Sequence, residues 1–166
     1  MSRSPTPPPR RVRRTAAALT FGALLASCLT LTTAPADAAE SLLSQGRRAT
    51  ASSQEGDAFS AAAVDGNLTG TRWASQWRDA EWLQVDLGER RDLSRVVLTW
   101  ESAYARAYEV WVSDDGTTWR TIHSTTTGDG DVDTINVSAT ARHVRLHLTA
   151  RGTGYGYSLY EFGVYA

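Results

Sequence analysis

Hydrophobic and polar residues alternate along much of the chain from Trp82 onward. Residues 82–87 alternate with a period of two and end at Gly88, and residues 142–148 repeat the pattern. Such alternation is typical of β-strands with one buried face. Residues 113–116 and 128–131 are rich in Asp and Gly and predict turns between the strands.

Short runs of this kind recur at intervals of roughly ten residues, which favours an all-β sandwich or jelly roll. No segment after residue 40 keeps a helical period over three turns, although residues 60–64 could form one short turn. The predicted strands cover residues 82–87, 94–100, 108–112, 119–123, 132–137, 142–148 and 159–165.

The aromatic residues divide into two groups by position. Trp82, Trp111 and Trp119 lie in strand runs, and we expect them in the core. Four others lie in predicted loops: Trp77, Tyr104, Tyr155 and Tyr157. A loop ring beside polar groups suits the apolar face of a pyranose, although such rings could instead cap the end of the sandwich.

The first 39 residues predict a signal peptide. Four arginines within residues 10–14 precede a mostly apolar stretch at 16–31, and Ala36-Asp37-Ala38 provides a cleavage site. The apolar stretch is too short to predict a membrane span. We therefore divide the chain into a signal peptide at residues 1–39 and one binding domain at residues 40–166.

Cys28 is the only cysteine, so residues 40–166 contain no disulfide. Residues 25–28 also resemble a lipobox, which would attach a lipid to Cys28 and hold the protein on the outer face of the cell membrane. The apolar run continues past Cys28 into the cleavage site, which favours a secreted protein.

Composition and spacing exclude several functions. Residues 40–166 carry 12 arginines, no lysine and 17 carboxylates, a net charge of −5, which disfavours nucleic acid and anionic membranes. His143 and His147 lie in a strand without a third ligand nearby, and no Gly-x-Ser-x-Gly motif occurs. We expect a protein that is not an enzyme.

Residues 63–73 are dense in side-chain oxygens and contain two glycines. Calcium binds six to eight oxygens from carboxylates, carbonyls and hydroxyls, and such a loop can supply them. An Asx-turn hairpin without a metal explains the same residues equally well.

Seven segments in order resemble the coagulation factor V/VIII type C, or discoidin, domain, and most closely the family 32 carbohydrate-binding modules of bacteria. They are residues 49–53, 63–67, 71–75, 82–88, 110–119, 142–145 and 160–165. The resemblance implies a galactose-binding-like jelly roll of eight strands with a structural calcium ion.

The resemblance also implies the calcium ligands. The side chains of Asp65, Thr71 and Glu161 and the carbonyls of Ala62, Asn67 and Tyr160 would bind the ion. Residues 67–71 contain one residue more than the family pattern, which leaves Thr69 as an alternative to Thr71.

By the same resemblance, the ligand would lie among loops 75–79, 101–106 and 151–157. The candidate residues are Gln76, Trp77, Glu101, Tyr104, Arg106, Arg151, Tyr155 and Tyr157. These loops lack the His of galactose-binding members, which argues against strict galactose specificity. We expect a secreted, monomeric module that binds a polysaccharide or glycan. The alternatives are a discoidin module for a protein or lipid surface, and an accessory module or fragment of a glycoside hydrolase.

Overall fold

Seven β-strands and one short 3-10 helix form residues 40–166, the part of the chain that this computed structural model describes. The predicted signal peptide and Cys28 lie outside the described residues. The elements are β1 (Arg48–Ala51), η1 (Ser60–Val64), β2 (Trp73–Ala74), β3 (Glu81–Trp100), β4 (Ala105–Ser113), β5 (Arg120–Thr125), β6 (Val132–Arg151) and β7 (Ser158–Tyr165). The prediction of an all-β fold is confirmed.

Strands β3 and β6 are each 20 residues long and take part in both layers of the sandwich. The first half of β3 pairs with β1 and with the second half of β6. After a register shift between Asp86 and Arg91, β3 pairs with β7 and with the first half of β6. Gly88 lies within the shift with φ of 88°, a conformation that favours glycine.

The two layers are therefore continuous through hydrogen bonds. One layer has the order β1–β3–β6–β4–β5, and the other has the order β2–β7–β3–β6. The family resemblance implies eight strands, whereas seven are observed. The runs predicted at 82–87 and 94–100 are one strand, as are those at 132–137 and 142–148.

The core lies between the layers and consists of alternate residues of the strands. Leu83, Val85 and Leu87 of β3 face inward together with Val110 and Val112 of β4. Among residues 40–166, no helix has the length and hydropathy needed to cross a membrane.

The prediction that Trp82, Trp111 and Trp119 belong to the core is wrong. All three are half-buried, and Trp82 and Trp111 alternate with the inward-facing residues of their strands. The tryptophans of the core are Trp73 and Trp100. The outer face of the β1–β3–β6–β4–β5 layer therefore carries three large aromatic rings.

Candidate functional site

Trp77 and Tyr155 form an exposed aromatic pair at one end of the sandwich. Their side chains are 56% and 59% exposed, and their rings meet edge to face at a centroid distance of 5.3 Å. The indole N–H of Trp77 donates to Oε1 of Glu55 at 2.9 Å. The indole N–H is thus fixed while more than half of each side chain remains in solvent.

A cleft of about 260 Å³ opens beside Tyr155. It is lined by Glu55, Arg72, Ala74, Ser75, Glu101, Ser102, Ala103, Tyr155, Gly156, Tyr157 and Ser158. Two carboxylates, one guanidinium and two phenol rings therefore converge on this concavity. Such a mixture of flat ring and hydrogen-bonding groups is typical of carbohydrate sites.

The loop that carries Trp77 is anchored by a buried carboxylate. Glu81 is fully buried, accepts a hydrogen bond from Nε of Arg78 at 2.6 Å and also accepts one from the hydroxyl of Ser52. Ala80 has φ of 65°, a left-handed conformation that costs free energy in a residue other than glycine. The surrounding contacts therefore hold this loop in one conformation.

Asp79 joins this loop to the loop at residues 151–157. Its Oδ1 accepts hydrogen bonds from the backbone N–H of Arg151 at 3.0 Å, from Nε of Arg151 at 3.2 Å and from the hydroxyl of Tyr157 at 3.0 Å. Burial opposes ionisation of Asp79, but these hydrogen bonds outweigh it and lower the pKa of Asp79. The carboxylate thus holds the two aromatic loops together.

Tyr157 supports the cleft from below. Its side chain is fully buried, and burial together with the hydrogen bond to Asp79 raises its pKa. Its backbone N–H donates to the hydroxyl of Ser75 at 2.9 Å. Tyr157 is therefore a positioning residue for the loops, whereas Tyr155 is the exposed ring.

Glu101 forms the acidic wall of the cleft. Its carboxylate accepts hydrogen bonds from the Ser102 hydroxyl at 2.7 Å and from the Ala103 N–H at 3.2 Å. Burial opposes ionisation, but these hydrogen bonds and the charge of Arg72 prevail and lower the pKa of Glu101. The group therefore remains an anion under mildly acidic conditions.

Of the eight residues predicted to bind ligand, Glu101, Tyr155 and Tyr157 line the cleft. Trp77 and Arg151 lie next to it, in contact with the ring and the backbone carbonyl of Tyr155 respectively. Gln76 is exposed beside them and contributes its backbone carbonyl to a hydrogen bond from Ser75. Tyr104 packs against the core, and its ring would contact a Cβ at Gly130 or Gly152. Arg106 lies in β4 and is not among the residues that line the cleft.

Glu55 and Arg72 line the cleft but are absent from the predicted ligand-binding set. Both precede the loops that the family resemblance indicates. Arg72 was visible as part of the Thr-Arg-Trp motif, directly before buried Trp73. No pattern around Glu55 indicates its contact with Trp77.

The predicted calcium residues with carboxylate and hydroxyl side chains come together near η1. The hydroxyl of Thr71 donates to Oδ2 of Asp65 at 2.6 Å, and the Gly66 N–H donates to Oε2 of Glu161 at 3.0 Å. Glu161 Oε1 is buried and has no hydrogen-bond partner. Burial, with a contribution from the charge of Asp65, raises the pKa of Glu161 to about 7.

A buried carboxylate oxygen without a partner, close to a second carboxylate, is a chemical arrangement that fits a cation. Within residues 40–166, no cluster of three His, Cys, Asp or Glu side chains occurs, so hydroxyl and carbonyl oxygens would have to complete such a site.

Of the remaining predicted metal ligands, Asn67 donates its backbone N–H to Oδ1 of Asp65 at 2.8 Å, and Tyr160 directly precedes Glu161. The register of β3 with β7 skips Tyr160, which leaves its backbone out of the ladder. Ala62 and Thr71 both line a neighbouring cavity, whose lining does not include Asp65 or Glu161. The Asn67 side chain accepts hydrogen bonds from the N–H groups of Thr69 and Gly70. Of the two candidate threonines, Thr71 contacts the carboxylate of Asp65.

Comparison with known proteins places this geometry in a family. Residues 48–162 match the F5/8 type C domain. Chitosan-binding modules 1 and 2 of a chitosanase/glucanase from Paenibacillus sp. IK-5 are 48% and 44% identical to this chain, each with a TM-score of 0.73. The alignments cover 76% and 75% of this chain and 99% of each module. The structure of module 2 is a complex with chitotriose.

Two other relatives are more distant or match less of this chain. CpGH89CBM32-5 of Clostridium perfringens, in complex with GalNAc-β-1,3-galactose, is 27% identical with a TM-score of 0.68, covering 76% of this chain and 100% of that one. A polysaccharide lyase 8 family protein, HylA of Enterococcus faecalis, is 41% identical over 68 residues, which is 41% of this chain. That match spans only 5% of the lyase.

The structural neighbours are thus carbohydrate-binding modules, including family 32, and the jelly-roll prediction is confirmed. The chain belongs to the F5/8 type C, or discoidin, domain family.

Proposed function

We propose that this chain is an exported, non-catalytic module that binds a polysaccharide containing amino sugars, such as chitosan. The observation that carries the proposal is the cleft lined by the exposed ring of Tyr155 and the carboxylates of Glu55 and Glu101. The exposed ring of Trp77 lies next to it, in contact with Tyr155 and Glu55. The similarity to two chitosan-binding modules supports the same ligand class.

The rings and the charged groups would contact different parts of the sugar. The apolar face of a glucosamine ring would stack on Trp77 or Tyr155, where aromatic area is free. Glu55 and Glu101 would accept hydrogen bonds from protonated amino groups, and charge-assisted hydrogen bonds of this kind are stronger than neutral ones. Arg72 and Arg151 would donate to ring hydroxyls.

A shallow cleft of this size buries little area, so we expect a Kd of roughly micromolar to millimolar for short oligosaccharides. A polymer offers many equivalent units and would be retained through repeated rebinding.

The state of the carboxylates supports a binding role without catalysis. Glycoside hydrolysis requires a carboxylic acid with a raised pKa that protonates the leaving group. In the cleft, the pKa of Glu101 is lowered and its oxygens accept internal hydrogen bonds, while Glu55 accepts the N–H of Trp77. Neither group is arranged as an acid.

Affinity electrophoresis tests the proposal. The protein should be retarded in gels containing soluble chitosan, less in gels containing a neutral glycan, and should release no reducing sugar from either. Failure to bind any polysaccharide in the panel would contradict the binding role, and release of reducing sugar would contradict the absence of catalysis.

We also propose a structural calcium ion at Asp65 and Glu161, with the Thr71 hydroxyl and the carbonyls of Ala62, Asn67 and Tyr160 as further ligands. The unpartnered buried oxygen of Glu161 supports this assignment. Thr71 directly precedes Arg72, which lines the cleft, so a fixed loop at 65–71 would also fix one wall of the binding site.

Thermal unfolding with calcium and with chelator tests this site. The unfolding midpoint of the wild type should rise with calcium and fall when the metal is removed. Glu161→Gln keeps an acceptor for the Gly66 N–H but loses the charge, so its midpoint should be the same in both conditions. A wild-type midpoint that does not change after the metal is stripped would refute the assignment.

We propose export through cleavage of the leader near residue 39. N-terminal sequencing of protein recovered from the medium checks the position, and a lipid on Cys28 would identify the membrane-attached alternative.

A further inference from the structure

A second groove lies at the other end of strand β4 from the cleft. Residues 101–103 of the cleft precede β4, whereas Ser113, Asp114 and Asp115 of the groove end or follow it. Since a strand rises about 3.3 Å per residue, the nine residues of β4 separate the two sites by roughly 25 Å. One short oligosaccharide therefore cannot occupy both sites.

Two adjoining cavities of about 340 and 420 Å³ form this groove, and both are lined by Arg120 and Thr140. The remaining lining residues include Trp119, Asp114 and Thr118 on one side and Arg90 and Asp92 on the other. The combined space exceeds that of the cleft at 260 Å³, so the groove has room for more than one sugar ring.

Trp119 supplies an aromatic wall in a fixed orientation. The guanidinium of Arg145 lies over its ring at 4.0 Å from the centroid, and the ring of His143 meets it at 6.4 Å. Trp119 is half-buried and lines the groove despite these contacts, so part of its surface is available to a ligand there. A ring held by such contacts loses little conformational entropy when a ligand stacks on it.

The rim of the groove carries hydrogen-bonding groups that are held by one another. Arg90 and Asp114 form an ion pair at 3.1 Å, the Thr140 hydroxyl donates to Asp92 at 2.6 Å, and Arg120 approaches the Thr140 carbonyl at 3.4 Å. Donors and acceptors thus alternate along the rim, where two arginines face three aspartates, Asp92, Asp114 and Asp115. This pattern suits the hydroxyls and amino groups of a saccharide better than a phosphate.

We propose that the groove between Trp119 and Arg90 is a second saccharide-binding site, so that one domain binds two polysaccharide segments at once. The inference rests on the proposed carbohydrate-binding function and adds a site that the cleft does not include. Two sites facing opposite ends would let the domain crosslink chains and would raise its avidity for a polymer.

Calorimetric titration of the full chain with chitotriose tests the inference, together with turbidity measured on mixing with soluble chitosan. The wild type should bind two equivalents and form crosslinked aggregates. Trp77→Ala should retain one equivalent at the groove and lose crosslinking. Trp119→Ala should weaken groove binding by about tenfold or more, equivalent to about 1.4 kcal/mol, and should also lose crosslinking.

Trp119→Ala also removes the contact with Arg145, so the exposed variant Arg120→Ala provides a second test that leaves the ring in place. It should lower groove affinity while the thermal midpoint stays that of the wild type. If the wild type binds one equivalent and Trp77→Ala binds none, the second site is refuted and the proposed function stands. Absence of binding by the wild type would overturn both.

Discussion

The domain exposes tryptophan in two different settings. Trp77, in a loop at the end of the sandwich, meets Tyr155 edge to face and donates its N–H to Glu55, and its side chain is 56% exposed. On the outer face of the sheet, Arg145 lies between Trp82 and Trp119 at 4.5 and 4.0 Å from the two rings. Trp111 stacks with His147 at 4.2 Å.

The difference shows that exposure alone does not identify a binding residue. A tryptophan within a sheet has cross-strand neighbours close enough to stack on it, and these neighbours cover its faces. Trp77, in a loop, lacks such cross-strand neighbours and stays more than half exposed. Trp119 combines both situations, because it stacks on Arg145 and also lines a groove.

The largest expected effect separates Trp77 from Trp111. Trp77→Ala should weaken chitotriose binding in the cleft by about 30-fold or more, the factor expected when a central aromatic contact worth about 2 kcal/mol is lost. Trp111→Leu, the matched change on the sheet face, should leave that affinity unchanged. Calorimetric titration measures both, and equal losses in the two variants would abolish the distinction between loop and sheet tryptophans.

The second prediction concerns the carboxylates beside the exposed rings. The double variant Glu55→Gln/Glu101→Gln should bind chitotriose about tenfold more weakly, since two charge-assisted hydrogen bonds become neutral ones. Binding of the N-acetylated trisaccharide, which lacks the positive charges, should hardly change. A parallel loss for both sugars would mean that the carboxylates serve only to shape the cleft.

The third prediction tests how much the guanidinium of Arg145, which stacks on the sheet tryptophans, contributes to stability. Arg145→Met should lower the free energy of unfolding by about 1–2 kcal/mol, because two cation–π contacts are lost along with the hydrogen bonds to Gln84. Urea unfolding measures this change, while titration should show unaltered affinity in the cleft. An unchanged unfolding midpoint would show that these stacked contacts contribute little to stability.

The smallest expected effect is a dependence on pH at His147. Burial lowers its pKa below the usual 6.5. The charge of Glu109 raises the pKa of His147, and the charge of Arg145 lowers it. The folded state therefore binds a proton less readily than the unfolded state, so stability falls as the pH drops below about 6.5. His147→Phe keeps a ring against Trp111, and its urea unfolding midpoint should fall less between pH 7 and pH 5. Parallel profiles would exclude His147 as the cause.

The sheet face also shows where reading the sequence failed although the signal was present. In residues 82–87, Leu83, Val85 and Leu87 form one face, and Trp82, Gln84 and Asp86 form the other. Glu109 and Trp111 alternate in the same way with Val110 and Val112. Alternation alone therefore places these two tryptophans on the polar face, whereas their location in strand runs does not by itself indicate burial.

The sequence by itself determined the all-β fold, the family and the loops that carry Trp77 and Tyr155, because these depend on local alternation, turn residues and ordered motifs. Tertiary structure decided which loop residues share a cleft. Glu55 meets Trp77 across 22 positions of the chain, and Asp79 meets Tyr157 across 78. Side-chain contacts over such separations depend on how the layers pack, and no local pattern encodes them.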